Sequence, residues 1–254
     1  MMPMDEEGAT QVQVNFGRPF PLFPLDGVVL LPHAMLRLFV FEPRYRQMME
    51  DVLDGSGQVA MAVFQGDEWR ESYHESPPIK PAVCVGQVAH HERQADGTYR
   101  VWLQGVCRAR VLEEMEPEGE RLYRSVVLEP LEAGDRADDE EEEDTALVEE
   151  RTRLLELMRT EPLSGVASVR RLVDQLDEQA GGLDALPTGV LLEVVALSVV
   201  GSLDEPMVMY ALLEEGDRVK RARIIEHELV GLNRLLLRAE RQWDPEAPKG
   251  VSWN

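Results

Sequence analysis

The stretch from residue 20 to residue 45 constrains the fold more than any other part of the chain. Its apolar residues are interrupted by three prolines and a glycine: Pro21, Pro24, Pro32 and Gly27. Because proline lacks a backbone N–H and fixes its own φ angle, one continuous helix cannot run through this stretch. We therefore predict short extended segments joined at fixed corners, with a turn at Asp26-Gly27 between the runs 22–25 and 28–31.

A half-buried strand and a short helix are predicted next. Leu36, Leu38 and Val40 alternate with their neighbours, as expected for a strand with one buried face. Glu42-Pro43 then favours the start of a helix, because proline suits the first helical turn. The buried face of that helix is predicted to consist of Tyr45, Met48, Met49, Val52 and Leu53.

Further strands are predicted over residues 59–64, 83–91, 99–112 and 122–130. The middle two form a hairpin whose turn contains Asp96-Gly97. Gly105 lies inside the second hairpin strand, where we expect a bulge or a close backbone contact that lets the strand bend.

The second half of the chain differs in character from the first. Residues 132–150 contain eleven acidic residues and one arginine, a run that repels itself and predicts a domain boundary. Beyond it, apolar residues recur at helical spacing and predict an all-α bundle whose last helix starts at Asp217 and has about 25 residues. The predicted class is α+β, with a β-rich domain at 18–131, an acidic linker at 132–144, a helical bundle at 145–242, and flexible tails at 1–17 and 243–254.

Two blocks of the sequence resemble the LON substrate-binding domain family, the N-terminal domain of Lon proteases, which also exists as stand-alone proteins. The first block comprises Pro-Leu-Phe-Pro-Leu (21–25), Val-Val-Leu-Leu-Pro (28–32) and Leu-Phe-Val-Phe-Glu (38–42). The second comprises Val-Gly-Gln-Val (85–88), Asp-Gly-Thr (96–98) and residues 103–111. The resemblance implies a PUA-like β pseudo-barrel with one short helix, and a role in recognising protein substrates.

Composition excludes several classes of partner. The formal net charge of −22 disfavours electrostatic binding to the phosphate backbone of nucleic acid. The longest apolar run, residues 190–200, is interrupted by Glu193 and is too short to span a membrane. Cys84 and Cys107 lack the spacing of zinc ligands, and the acidic N-terminus lacks the features of a signal peptide. We expect a soluble, cytoplasmic protein without a metal or another cofactor.

The catalytic motifs of a Lon protease are missing from the sequence. No glycine is followed by lysine, so the phosphate-binding loop of an ATPase is absent. Serine in the context of a Ser-Lys protease dyad is also absent, and a chain ending at Asn254 is expected to leave no room for a protease domain. We therefore expect a protein that is not an enzyme.

A recognition domain has to expose apolar side chains, and the strand–helix junction and the long loop of residues 66–81 offer candidates. The nominated residues are Phe39, Phe41, Arg44, Tyr45, Trp69 and Tyr73. The aromatic residues would anchor a peptide and Arg44 would supply a polar rim. Core packing is the alternative role for each aromatic side chain.

The favoured hypothesis is a module that binds unfolded or apolar peptide segments, or adapts them to a protease or chaperone. Two alternatives remain open at this point. One is a PUA-like module that reads a small ligand or nucleic acid, which would need a basic cleft. The other is an unrecognised hydrolase, which would need a buried acid–base pair beside a nucleophile.

Overall fold

The computed structural model describes residues 12–71, 73, 76–131, 145–179 and 181–242. The predicted acidic linker and the predicted tail at 243–254 lie outside these ranges, as do residues 1–11 of the N-terminal tail. The chain divides into two compact units. Within the described ranges, the first unit comprises residues 12–131 with 209–216, and the second comprises residues 145–208 with 217–242.

The first unit is built on a six-stranded sheet. Its strands and its helix are β1 (Phe20–Leu25), β2 (Met35–Val40), α1 (Pro43–Leu53), β3 (Gln58–Val63), β4 (Ala82–Arg93), β5 (Tyr99–Met115) and β6 (Ser125–Pro130). The strand order is β2-β5-β4-β3-β1-β6, and β6 also pairs with β5, so five strands close into a ring and β2 lies outside it. Strands β1 and β3 are parallel because β2 and α1 form a crossover between them, whereas the other pairs are antiparallel.

Strand β5 changes partner along its length. Residues 99–104 pair with β2 and residues 109–115 pair with β6, while β4 follows the opposite edge. Gly105 lies at the change, where its N–H donates to the Ala34 carbonyl at 2.9 Å. A Cβ atom at this position would lie 2.0 Å from the Leu31 carbonyl oxygen, and the β4–β5 register shifts beside it. Both a close backbone contact and a bulge are present, which confirms the prediction.

The interior of the closed sheet is filled by alternate side chains of its strands. A central cluster comprises Phe20, Leu22, Ala60, Ala62, Val83, Val85, Ala109, Val126 and Leu128. Helix α1 buries Tyr45, Met48, Met49 and Val52, as their spacing predicted, whereas Leu53, predicted for the same face, is only half-buried. The ring of Tyr45 lies 4.7 Å from that of Phe23 in β1, so the helix packs against the sheet through this aromatic pair.

A segment distant in sequence completes the first unit. Its residues, 209–216, end helix α5 (Pro206–Glu214) and lead out of it. The hydroxyl of Tyr210 accepts a hydrogen bond from the Ala82 N–H at 2.9 Å, and Nε of Arg108 donates to the Leu212 carbonyl at 2.9 Å. Because Arg108 is only 2% exposed, this bond helps to satisfy a buried charge. The spacing of apolar residues in the sequence predicted helices in this part of the chain, but that spacing gives no indication of these two hydrogen bonds.

The second unit is helical within its described residues. Besides the first turn of α5, it contains α2 (Thr145–Arg159), α3 (Ala167–Gln179), α4 (Thr188–Ser198) and α6 (Arg218–Gln242), the long final helix of 25 residues that was predicted. Helix α2 buries Glu150, whose carboxylate accepts from Arg223 Nε at 2.8 Å, and four apolar side chains at helical spacing: Leu147, Leu154, Leu155 and Met158. The predicted α+β class, with strands first and helices after them, is confirmed.

Replacing Gly105 with alanine should destabilise the protein by about 3 kcal/mol, because the new Cβ meets a backbone oxygen that no side-chain rotation can move. Urea unfolding followed by circular dichroism measures this loss. The matched control is Gly231→Ala in α6, where a Cβ atom meets open space and helix propensity favours alanine by up to about 1 kcal/mol. An unchanged urea midpoint for Gly105→Ala would contradict the assigned contact.

Candidate functional site

Large apolar side chains are exposed where β2 leads into α1. Met35, Phe39 and Phe41 are 52%, 57% and 60% exposed, and we call these three residues the outer patch. The rings of Phe39 and Phe41 stack, with centroids 6.0 Å apart and an interplanar angle of 26°. Leu36, Leu38 and Val40 occupy the opposite, more buried face of β2, so β2 has the one buried face that their alternation predicted.

Arg44 occupies the first turn of α1 and is held from several sides. Its guanidinium carbon lies 4.6 Å from the ring centroid of Tyr45 and 4.5 Å from that of Tyr73, so one cation contacts two aromatic rings. Its Nε donates to the Glu42 carboxylate at 3.1 Å, and Nη1 donates to the Tyr73 carbonyl at 3.2 Å. Nη2 is buried without a hydrogen-bond partner among the described residues.

Tyr73 completes this cluster at the strand–helix junction. Its hydroxyl donates to the second carboxylate oxygen of Glu42, so that carboxylate joins the long loop to the start of α1. Burial and this hydrogen bond raise the pKa of Tyr73 above its ordinary value. Glu42-Pro43 predicted a helix start and Glu42 ends the first resemblance block, but neither pattern indicated this hydrogen bond.

Trp69 faces the core rather than the solvent. Its ring stacks on Phe64 at 4.9 Å with an interplanar angle of 8°, and Tyr73 meets both rings edge-on. Both loop aromatics pack against the central cluster. Core packing, the alternative role considered for these residues, is therefore what the structure shows for Trp69, and Tyr45 is likewise buried.

A cleft of about 580 Å³ adjoins the junction. Its lining includes Leu22, Pro24, Arg44, Tyr45, Tyr123 and Arg124. Two polar groups at its walls are engaged with protein partners: Tyr123 donates to Asp51 at 2.6 Å, and Arg124 donates to Glu114 at 2.8 Å. Burial raises the pKa of Tyr45 well above its usual value.

The structure thus separates the six nominated residues into two groups. Phe39 and Phe41 lie on the open surface, whereas Arg44, Tyr45, Tyr73 and Trp69 form a continuous packed cluster behind the strand–helix junction. Met35 joins the exposed group and was missed by the sequence analysis. Its position two residues before Arg37 and four before Phe39 places it on the same strand face, a signal that strand alternation alone contains.

A comparison with known proteins identifies the family of this chain. A family model described as the ATP-dependent protease La (LON) substrate-binding domain matches residues 19–230, most of the chain. The chain belongs to the LON substrate-binding domain family. The blocks around residues 21–42 and 85–111, on which the resemblance was based, both lie inside the matched region of this LON domain.

Relatives of the LON domain include two Lon proteases. The protein from Azorhizobium caulinodans is 27% identical over 121 residues, which cover 46% of this chain and 13% of the relative. The protein from Dictyoglomus thermophilum is 28% identical over 118 residues, which cover 45% of this chain and 14% of the relative. The LON domain therefore matches about one seventh of the length of these curated relatives.

A solved structure shares the fold of the LON domain. The N-terminal domain of a Lon protease from the Mycobacterium avium complex superposes with a TM-score of 0.57 at 15% identity, covering 84% of this chain and 98% of that one. In the described part of the LON domain, none of the helices combines the length and apolar character needed to cross a bilayer. The same residues contain no group of three or more histidine, cysteine, aspartate or glutamate side chains arranged to hold a metal ion.

The Tyr123–Asp51 hydrogen bond leads to a prediction about pH. Burial, followed by this bond, raises the pKa of Tyr123 from 10.0 to about 12. The folded state therefore holds this proton more tightly than the unfolded state, so the stabilisation is complete below pH 10 and is lost as the pH rises towards 12. Urea midpoints measured between pH 7 and pH 12 should fall less steeply above pH 10 in Tyr123→Phe than in the parent protein. If the urea midpoints of the two proteins fell in parallel with pH, the raised pKa of Tyr123 would be contradicted.

Proposed function

We propose that this LON domain recognises extended, apolar segments of other proteins and catalyses no reaction itself. The observation that carries the proposal is the outer patch, in which three large apolar side chains of one short region are each more than half exposed. Apolar side chains exposed together on a protein surface often mark an interaction site. Two of the three are phenylalanines, whose flat rings contribute large contact areas to an interface.

The residues behind the outer patch give it a firm base. Pro43 starts α1 directly after the patch, and Arg44 is clamped between two tyrosine rings and hydrogen-bonded to Glu42. A strand–helix junction held in this way loses little conformational freedom when a partner binds, which lowers the entropic cost of binding. Arg44, Tyr45, Tyr73 and Trp69 are accordingly assigned a supporting role, and Phe39 and Phe41 the contact role.

The family supports the non-catalytic part of the proposal. The matching family model describes a substrate-binding domain, and the matched relatives are named as Lon proteases. Segments bound at the outer patch would be passed to a Lon-type protease or to a chaperone. The sequence has no Gly-Lys phosphate loop, which agrees with a domain that binds substrates and leaves ATP hydrolysis and proteolysis to another protein.

The contact role of the outer patch is tested by replacing both phenylalanines. Phe39→Ser with Phe41→Ser should weaken binding to a permanently unfolded protein, such as reduced and carboxymethylated α-lactalbumin, by at least about tenfold, since each buried phenylalanine contributes about 1.5–3 kcal/mol. Isothermal titration calorimetry provides the affinities. Leu112→Ser in β5 is the matched control, because Leu112 is 59% exposed but lies outside the patch. If Leu112→Ser lost as much affinity as the double variant, or if the double variant lost none, the outer patch would not be the binding site.

The absence of catalysis is tested with a standard protease substrate. The purified protein should neither hydrolyse ATP nor degrade casein, with or without ATP, because it lacks the phosphate loop and the Ser-Lys dyad. Phosphate release and gel electrophoresis of casein provide the two measurements. A preparation shown by mass spectrometry to be free of Lon protease is needed, and ATP-stimulated proteolysis by that preparation would refute the proposal.

A further inference from the structure

Strand β2 forms an open edge of the sheet. It pairs with β5 on one side, and among the residues the structure describes no strand or loop makes a backbone hydrogen bond to its other side. Alternate N–H and C=O groups along its six residues therefore point outwards. Such an edge is a template for one more strand, and proteins that do not use it usually block it with proline, a charged side chain, a bulge or a covering element. Residues 35–40 contain no proline and no bulge, and no described residue pairs with their outer edge; their one charged side chain, Arg37, would repel a basic segment and attract an acidic one.

The outward face of β2 combines apolar side chains with a positive charge. Met35, Arg37 and Phe39 share this face and are all exposed. Arg37 makes no ion pair among the described residues, and its neighbour across the sheet is Trp102. Arg100, opposite Phe39, adds a second positive charge, and its ion pair with Glu92 is long at 3.9 Å. A cation that forms no ion pair with the described residues thus lies between two exposed apolar residues, in a chain whose net charge is −22.

We infer that the LON domain binds its protein substrates as an additional strand on the free edge of β2. The preferred segments have an acidic residue, with one apolar residue two positions before it and another two positions after it. This inference rests on the proposed function and specifies the binding mode. Directly opposite residues of paired strands lie about 4.5–5.5 Å apart and point to the same face. Every second residue of an added strand would therefore meet Met35, Arg37 and Phe39 in turn.

Charge complementarity selects this occupant over a second copy of the chain. A copy paired through its own β2 would bring another Arg37 to the shared face instead of a carboxylate, and would bring a second net charge of −22. A peptide with a central acid instead supplies the ion pair that Arg37 lacks within the described residues. Its main chain would satisfy the outward N–H and C=O groups of the edge.

Three synthetic peptides test the side-chain preference on the full chain. Each has the core Phe-Thr-Xaa-Thr-Phe flanked by serines, with glutamate, glutamine or lysine at Xaa, and affinities are measured by fluorescence anisotropy. We expect the glutamate peptide to bind about fivefold more tightly than the lysine peptide, the scale of a cross-strand charge pair. Arg37→Glu should reverse this order. Arg171→Glu in α3, which changes the net charge equally, should leave the order intact.

Two N-methylated isomers of the glutamate peptide test the strand addition. In one, the phenylalanine and glutamate nitrogens are methylated, and in the other the threonine nitrogens are. Because alternate N–H groups point to opposite edges of a strand, one isomer should lose at least tenfold in affinity and the other should retain binding. Equal affinities of the two isomers would show that the main chain does not pair, and the inference would be wrong.

The outcomes separate this inference from the proposed function. If the peptides bind and lose affinity in the Phe39→Ser, Phe41→Ser variant, but neither Arg37→Glu nor N-methylation has an effect, the proposed function stands and strand addition is refuted. If no peptide and no unfolded protein binds, both fail. If the free protein sediments as a dimer that Arg37→Glu changes while peptides do not bind, the edge serves a second copy and the inference is wrong.

Discussion

The change of partner in β5 is the constraint on which the first unit depends. One strand has to pair with β2 over its first part and with β6 over its second, on the same edge. The bend between the two parts brings the Leu31 carbonyl to the place where a side chain at residue 105 would lie, so only glycine fits without displacing backbone. Closure of the ring through β5 and β6 leaves β2 outside it, and the same constraint therefore creates both the closed core and the open edge.

The strand–helix junction combines exposed phenylalanines with a packed cluster around Arg44. Phe39 and Phe41 are exposed, whereas Arg44, three residues beyond Phe41, is enclosed by tyrosine rings and bonded to Glu42. A guanidinium suits this position because it stacks on aromatic faces and donates in its own plane at the same time, which the ammonium of lysine cannot do. The proposed recognition surface thus lies on a base whose geometry does not depend on a bound partner.

A buried arginine connects distant parts of the first unit. Arg108 lies in β5, and its hydrogen bond to the Leu212 carbonyl attaches a segment about one hundred residues further along the chain. The Ala82 N–H, at the start of β4, is satisfied by Tyr210 of the same segment. Since a buried donor without a partner costs about 1–3 kcal/mol, these contacts make residues 209–216 an integral part of the unit.

The sequence by itself determined the local structure of this protein. The alternation of Leu36, Leu38 and Val40 and the apolar face of α1 predicted a strand and a helix where the structure has them, because each signal depends on near neighbours. Of the two extended runs predicted around Asp26-Gly27, residues 22–25 lie in β1, but residues 28–31 belong to no strand. Alternation showed that Phe39 and Leu38 face opposite sides, but only the tertiary structure decided which side is covered. Trp69, equally aromatic, is partly buried and stacks on Phe64. Burial depends on which distant strand or helix packs over a face, and residue spacing contains no information about that partner.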